Sequence, residues 1–441
     1  DVATTLNNIG RVYYMRGEYD TALRLYLEAL QIRRSILGHD HLDVGATIYN
    51  TGQTYHQLGL FKEAMQHYEE FLHIARKRLG NKHRDVAIML KCMAQVHHEL
   101  KEFDEAQSIY EEALSICRDT LGEKNPEIAS ILNKLGNLLY EKGDLDAAIV
   151  TYEQGLAVER AVLDPFHLNI IVTLTNIGQI HKRKGDISNA IRWYKEALEL
   201  QRLSMPLNHP SIAMTLSTLG LLHYQNQDHT GALDMYQESL MIRRNTIGEN
   251  NLEVAATLNS IGLILFKMQL FNFALDAFMA SLKIRRSLLG STHKDVAIIL
   301  YNIATVQLES GDEEEALKTY EETLRVERAV LGDDQGDIVI TLRHIGQIHK
   351  SRGHLDDALG YLKEALDVQG RICGDDAISG QILNQMGNIH LQRCETDKAM
   401  EAYSCALRIF RKAGRSDSEL VVEGFDQYNM TVCHPEAAAV A

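Results

Sequence analysis

The chain has 441 residues, 45% hydrophobic and 24% charged with only 5 prolines, a balance that reads as folded, soluble and helical. Its net charge of −15, with no basic tail or long Lys/Arg run, argues against a nucleic-acid partner, because phosphate binding needs a positive face. No uncharged apolar run reaches the roughly 18 residues of a membrane-crossing helix, so membrane insertion is not expected either.

In chain order, Val2, Leu6, Ile9, Val12 and Tyr13 recur at three- and four-residue steps, the period of a helix with one buried face. The stretch "RGEY" interrupts it, with Gly17 suited to the left-handed turn that ends a helix. Asp20 then opens a second helix, where negative charge is favourable, and Ala22, Leu23, Tyr26, Leu30 and Ile36 or Leu37 form its apolar stripe. Arg34 lies near its C-terminus, a favourable place for a cation, and Gly38 turns the chain. Later starts read "NP" or "HP": Asn125-Pro126 and His209-Pro210 set a capping residue before a proline at the first helical position.

This hairpin then repeats. Aligned on the small residue of "NNIG", the chain steps by 42 from Gly10 and Gly52 to Gly346, and by 41 to Gly387. Alanine holds the register of Ala22 and leucine that of Leu30 in all ten units, and Tyr26 returns as a ring everywhere except Leu362. Neither helix can bury its stripe alone, so the hairpins must stack, and an all-α helical-hairpin solenoid is expected. Its ten units span 1–412, with starts near 1, 43, 85, 127, 169, 211, 253, 295, 337 and 378. A capping helix over about 416–430 and a frayed tail are expected in 413–441. The chain starts at Asp1, inside a repeat, so upstream sequence is expected. The hexapeptide "VERAVL" occurs at Val158–Leu163 and again at Val326–Leu331, a distance of four units. Val158–Lys182 and Val326–Lys350 agree at 15 of 25 positions, as if a block of four repeats had been duplicated.

The pattern resembles the tetratricopeptide repeat, with Gly10, Ala22, Tyr26 and Ala29 in its small and aromatic slots. Its 42-residue form is similar to the kinesin light chain type, through Leu37-Gly38, His41, Asp43-Val44 and "TLNNIG" at Thr5–Gly10. The resemblance implies a right-handed superhelix and an interaction scaffold whose first helices line a concave, peptide-binding surface.

Chemistry of other kinds is weak. The six cysteines lack CxxC spacing and read as reduced thiols of a cytoplasmic protein. Ten of the nineteen histidines fall into two repeat registers, the inter-repeat loop (His41, His83, His167, His209, His293) and the slot of Tyr13 (His97, His181, His223, His349, His390). They are assigned structural roles and no metal site. No phosphate loop, nucleophile elbow or H-E-x-x-H motif is present, so neither cofactor nor catalysis is expected. The sole tryptophan, Trp193, is expected to pack against a neighbouring hairpin.

By the resemblance, the groove holds Asn8, Arg11, Asn50, Gln53, Asn133, Asn137, Asn176, Gln179, Lys182, Arg183, Asn302, Arg343, Gln347 and Lys350. Amides donate and accept at once, which suits an extended peptide backbone. Groove registers carry eight cations against three anions (Glu99, Glu141, Glu309), so acidic or phosphorylated segments are the expected partners. The equivalent stations Lys182–Lys184 and Lys350–Arg352 are the first places to look. A chaperone-tail clamp is disfavoured, since Lys91/Gln95 and Asn133/Asn137 match it only in part. The alternative reading is a structural subunit held in a large assembly, a motor complex included, through its convex face and ends.

Overall fold

In the computed structural model, residues 1–332, 335–372 and 376–412 are described, and the capping helix expected at 416–430 lies outside them, as do Cys373 and Cys433. The chain folds as two compact units, Asp1–Met205 and Pro206–Ala441. The first unit contains α1 (Val2–Met15), α2 (Tyr19–Leu37), α3 (Leu42–Gln57), α4 (Phe61–Leu79), α5 (Arg84–Glu99), α6 (Phe103–Leu121), α7 (Pro126–Lys142), α8 (Leu145–Val162), α9 (Leu168–Arg183) and α10 (Ile187–Ser204). The second contains α11 (Pro210–Gln225), α12 (His229–Ile247), α13 (Leu252–Lys267), α14 (Phe271–Leu289), α15 (Lys294–Glu309), α16 (Glu313–Leu331), α17 (Gly336–Ser351), α18 (Leu355–Ile372), α19 (Ala377–Gln392) and α20 (Thr396–Lys412). Each odd-numbered helix pairs with the next as a hairpin, and the described residues contain no strand: this is an all-α solenoid of the helical-hairpin type.

The two repeat registers explain the hairpin. The alanine of each second helix is fully or almost fully buried, and where the first helix carries glycine rather than Ala94 or Ala304, the ring four residues on lies over that glycine. A Cβ at Gly52 would stand 2.7 Å from Cε1 of Tyr68, and one at Gly262 would stand 2.6 Å from Cε1 of Phe278. Overpacking of this kind costs about 1–3 kcal/mol. Where Leu362 replaces the ring, the same test at Gly346 gives 3.1 Å. Gly17 ends the first helix of its hairpin at φ 77°, as the turn requires.

The loop histidines cap helices. Nδ1 of His41, His83 and His293 accepts a hydrogen bond from the amide two residues on at 3.1 Å, and His167 and His209 do so at 3.2 Å. Asn125 does the same work with its side-chain oxygen ahead of Pro126. The recurrent arginine does more than meet a helix C-terminus. Arg34 pairs with Glu70 at 2.5 Å, Arg76 with Glu112 at 2.8 Å and Arg286 with Glu322 at 2.7 Å, each glutamate 36 residues on in the next hairpin. Arg160–Glu196 and Arg328–Glu364 repeat the contact. At Arg118 and Arg244 the position 36 residues on is Gln154 or Ala280, and the guanidinium turns to Glu123 or Glu249 instead.

Two stripes differ from expectation. Val2, Ile9 and Val12 are exposed, because no described hairpin lies against that side of α1; the equivalents of Val12 further on (Thr54, Val96, Leu138) are fully buried. Ile36 and Leu37, in the last turn of α2, are also exposed. Trp193 is buried, as expected, in the core of the first unit, with Arg192 stacked 4.7 Å from its ring.

Candidate interaction face

The first helices of the hairpins bury one side, and their other side carries the expected groove registers. Asn8 and Arg11 are exposed on α1, and Asn137, Arg183 and Gln347 are exposed on α7, α9 and α17. Asn50, Gln53, Asn176, Gln179, Lys182, Arg343 and Lys350 are half-buried, so each presents part of its side chain.

Several of these amides already have partners, and the partners follow the repeat. The ring hydroxyl of a second helix donates to the side chain fifteen residues before it: Tyr194 to Gln179 at 3.0 Å, and Tyr152 to Asn137. Asn176 reaches the same Tyr152 oxygen at 3.4 Å. A second relay steps 43 residues from one first helix to the next: Asn50 donates to Asn7 at 3.0 Å, and Asn302 to Asn259 at 3.1 Å. Gln53 donates to the Tyr49 hydroxyl at 2.6 Å.

Two of the expected residues are turned inward. Asn133 donates to Glu159 at 2.8 Å and to Thr173 at 3.0 Å, between hairpins. Asn302 is 6% exposed, closed in by its bond to Asn259. Buried Asn302, bonded to its neighbour, has little left to offer a ligand, and half-buried Asn133 spends its side-chain N–H groups on Glu159 and Thr173.

The cations divide in the same way. Lys91 is half-buried and paired with Glu127 at 2.8 Å, while Lys134 donates to Gln95 at 2.7 Å and is held below the usual lysine range by burial and then by Lys91. Arg183 lies over the Tyr140 ring at 4.9 Å and donates to its carbonyl at 3.2 Å. Arg343 donates to Gln385 at 3.4 Å, and burial lowers its pKa. In the two stations, Lys184 pairs with Asp146, and Arg352 with Glu313 at 3.7 Å. Two of the three anions are also answered: Glu99 by His56 at 2.9 Å and Glu141 by His98 at 3.2 Å.

Sequence reasoning missed a buried acid in each unit. Glu159 and Glu327, the glutamates of the two "VERAVL" stretches, are 1% and 4% exposed. Burial raises the pKa of both, and that of Glu327 is pushed up to about 7. The recurrence of an acid inside an apolar helix stripe was the available signal. Among the described residues, no helix is long and apolar enough to cross a membrane.

The tetratricopeptide repeat family model matches residues 1–77, 85–159, 127–202, 211–287, 253–329, 295–371 and 337–412. No curated protein matches the chain. Among solved structures, BtubC (BKLC) from P. vanneervenii is 26% identical over 45% of this chain and 79% of that one, with a TM-score of 0.42. A Podosopora anserina putative kinesin light chain with nearly identical TPR-like repeats is 15% identical, over 46% of this chain and 97% of that one, with a TM-score of 0.42. The apo form of RapI is 13% identical over 65% and 99% of the two chains, with a TM-score of 0.41. With repeat matches running from Asp1 to Lys412 over stacked helical hairpins, the chain belongs to the tetratricopeptide repeat family, whose members generally serve as protein–protein interaction scaffolds.

Proposed function

We propose that the chain is a non-enzymatic scaffold that holds acidic, extended partner segments against the first-helix face of its hairpins. The observation that carries this reading is the side chemistry of that face. Arg11, Asn137, Arg183 and Gln347 are exposed on it, and Gln53, Gln179, Lys182 and Lys350 are half-buried, within a chain of net charge −15. Amides anchored by a tyrosine, as Gln179 is by Tyr194, are held in one orientation and lose little freedom on binding. Cations among them favour a negatively charged segment and disfavour a positive one. Lys182 and Lys350 occupy the same register four repeats apart, one in each unit, which supplies two equivalent places to hold a partner.

The test is a titration of the full chain against a fluorescent acidic peptide with a central tryptophan, alongside a lysine-substituted peptide of the same length. Binding is expected for the acidic peptide alone, weakened at least about tenfold by reversing Lys182, Arg183 and Lys350 to glutamate and weakened further by salt. Equal binding of the two peptides, or indifference to the charge reversal, overturns the proposal.

A further inference from the structure

In four hairpins the histidine in the slot of Tyr13 bonds through Nδ1 to a carboxylate five residues on, at the start of the second helix. His97 reaches Glu102 at 2.5 Å, His181 Asp186 at 3.1 Å, His223 Asp228 at 2.7 Å and His390 Glu395 at 2.7 Å. His349 breaks this rule, because the residue five on is His354. Both ring nitrogens of His349 are buried without a hydrogen-bond partner, and its nearest carboxylate oxygen, on Asp357, is 3.9 Å from Nδ1. An imidazole left this way costs free energy that the other four hairpins avoid.

We propose that His349, His354 and Asp357 form a divalent transition-metal site, suited to Zn2+, at the turn between α17 and α18. One ligand atom from each lies within 4.8 Å of the others. Two imidazoles and a carboxylate are a zinc donor set with a fourth position open to water or a partner's side chain. Bonds of about 2.0–2.1 Å place tetrahedral ligands about 3.3 Å apart, so the ligand atoms, now within 4.8 Å of one another, must draw together on binding. His354 and Asp357 are exposed, so their side chains are not locked by packing. His349 is already oriented by stacking on Tyr361, with ring centres 5.3 Å apart and planes 13° apart. Of the nearby charges, Asp357 and Glu321 favour a cation and Arg352 opposes one, though Arg352 is itself paired with Glu313. The repeat register, which assigned His349 a structural role, hides this site, because the departure lies in its partner.

The experiment titrates chelator-treated full chain with Zn2+ by calorimetry, and with Co2+ by visible absorption. His349→Tyr installs the residue of the first two repeats, and His354→Asn keeps a good helix cap, so both variants should fold. The expected result is one tightly held equivalent with a tetrahedral Co2+ spectrum, weakened more than about tenfold in each variant. No Zn2+ uptake by the parent chain, or uptake unchanged in both variants, overturns the proposal.

Discussion

Two places four repeats apart solve one packing problem differently. In the first unit, Glu159 of α8 accepts from Asn133 of α7 at 2.8 Å and is also bonded by Thr173 of α9. In the second, Glu327 of α16 accepts from Thr341 at 3.1 Å, and the place of Asn133 is taken by Tyr301. The neighbours changed together. Gly155, where a Cβ would come 2.7 Å from Oδ1 of Asn133, becomes the buried Thr323. Asn176 becomes His344, which stacks on Tyr320 at 5.1 Å and bonds the Tyr301 hydroxyl at 3.0 Å. An amide network has thus become an aromatic cluster, and the acid beside it has one donor fewer. The lesson is that the acid's state depends on its local donors, since the repeat register is the same in both.

The largest test imports the second arrangement into the first. Gly155→Thr should drive Asn133 away from Glu159 and cost about 3 kcal/mol, the sum of overpacking and a weakened buried hydrogen bond. Faster hydrogen exchange in α7, α8 and α9 would report it. Adding Asn133→Tyr should return at least about 1 kcal/mol, and strictly additive losses would show that the two sites are not coupled.

Next comes the acid itself. The Glu327 pKa lies at about 7 in the folded chain, above the ordinary 4.5. Between these values the unfolded chain has already lost the proton that the folded chain keeps, so stability falls as pH rises from 4.5 to about 7. Glu327→Gln should therefore stabilise by roughly 2 kcal/mol at pH 8 and by almost nothing at pH 4, read as the difference in urea midpoint from the parent chain. Equal midpoint shifts at both pH values would contradict the buried acid. Thr341→Val removes the donor described for Glu327 and should cost about 1 kcal/mol. Thr173→Val should cost about half as much, because Asn133 still serves Glu159. Smallest is Arg76→Ala, which removes an exposed ion pair between repeats and should change stability by about 0.3 kcal/mol.

Much of this architecture was legible from periodicity. A 42-residue step with invariant alanine and leucine registers leaves stacked hairpins as the way to bury both stripes, and the capping histidines and asparagines announce each new first helix. The interaction face was less legible. Asn8 and Asn133 are both first-helix asparagines in adjacent registers, yet one is exposed and the other is bonded to Glu159. Which way a polar side chain turns depends on a neighbour tens of residues away, such as Glu159 or Tyr152, and spacing within one helix carries no record of it. The 36-residue arginine staples escaped notice for the same reason: each partner belongs to the next hairpin.

The varied position ahead of each new hairpin has a consequence for how such a chain assembles. Arg33 bonds Thr47 at 2.7 Å, and Glu159 is bonded by Thr173. The same places in the intervening repeats hold fully buried apolar residues, Ala75 with Met89 and Cys117 with Ile131. Ten look-alike hairpins invite docking in the wrong order, a kinetic trap typical of repeat chains. A mismatch would set Glu159 against Met89 or Ile131 and strand a buried acid with no threonine hydroxyl to answer it. Such pairs would tell a polar junction from an apolar one while the chain folds, but not Glu159–Thr173 from Glu327–Thr341, which carry the same label.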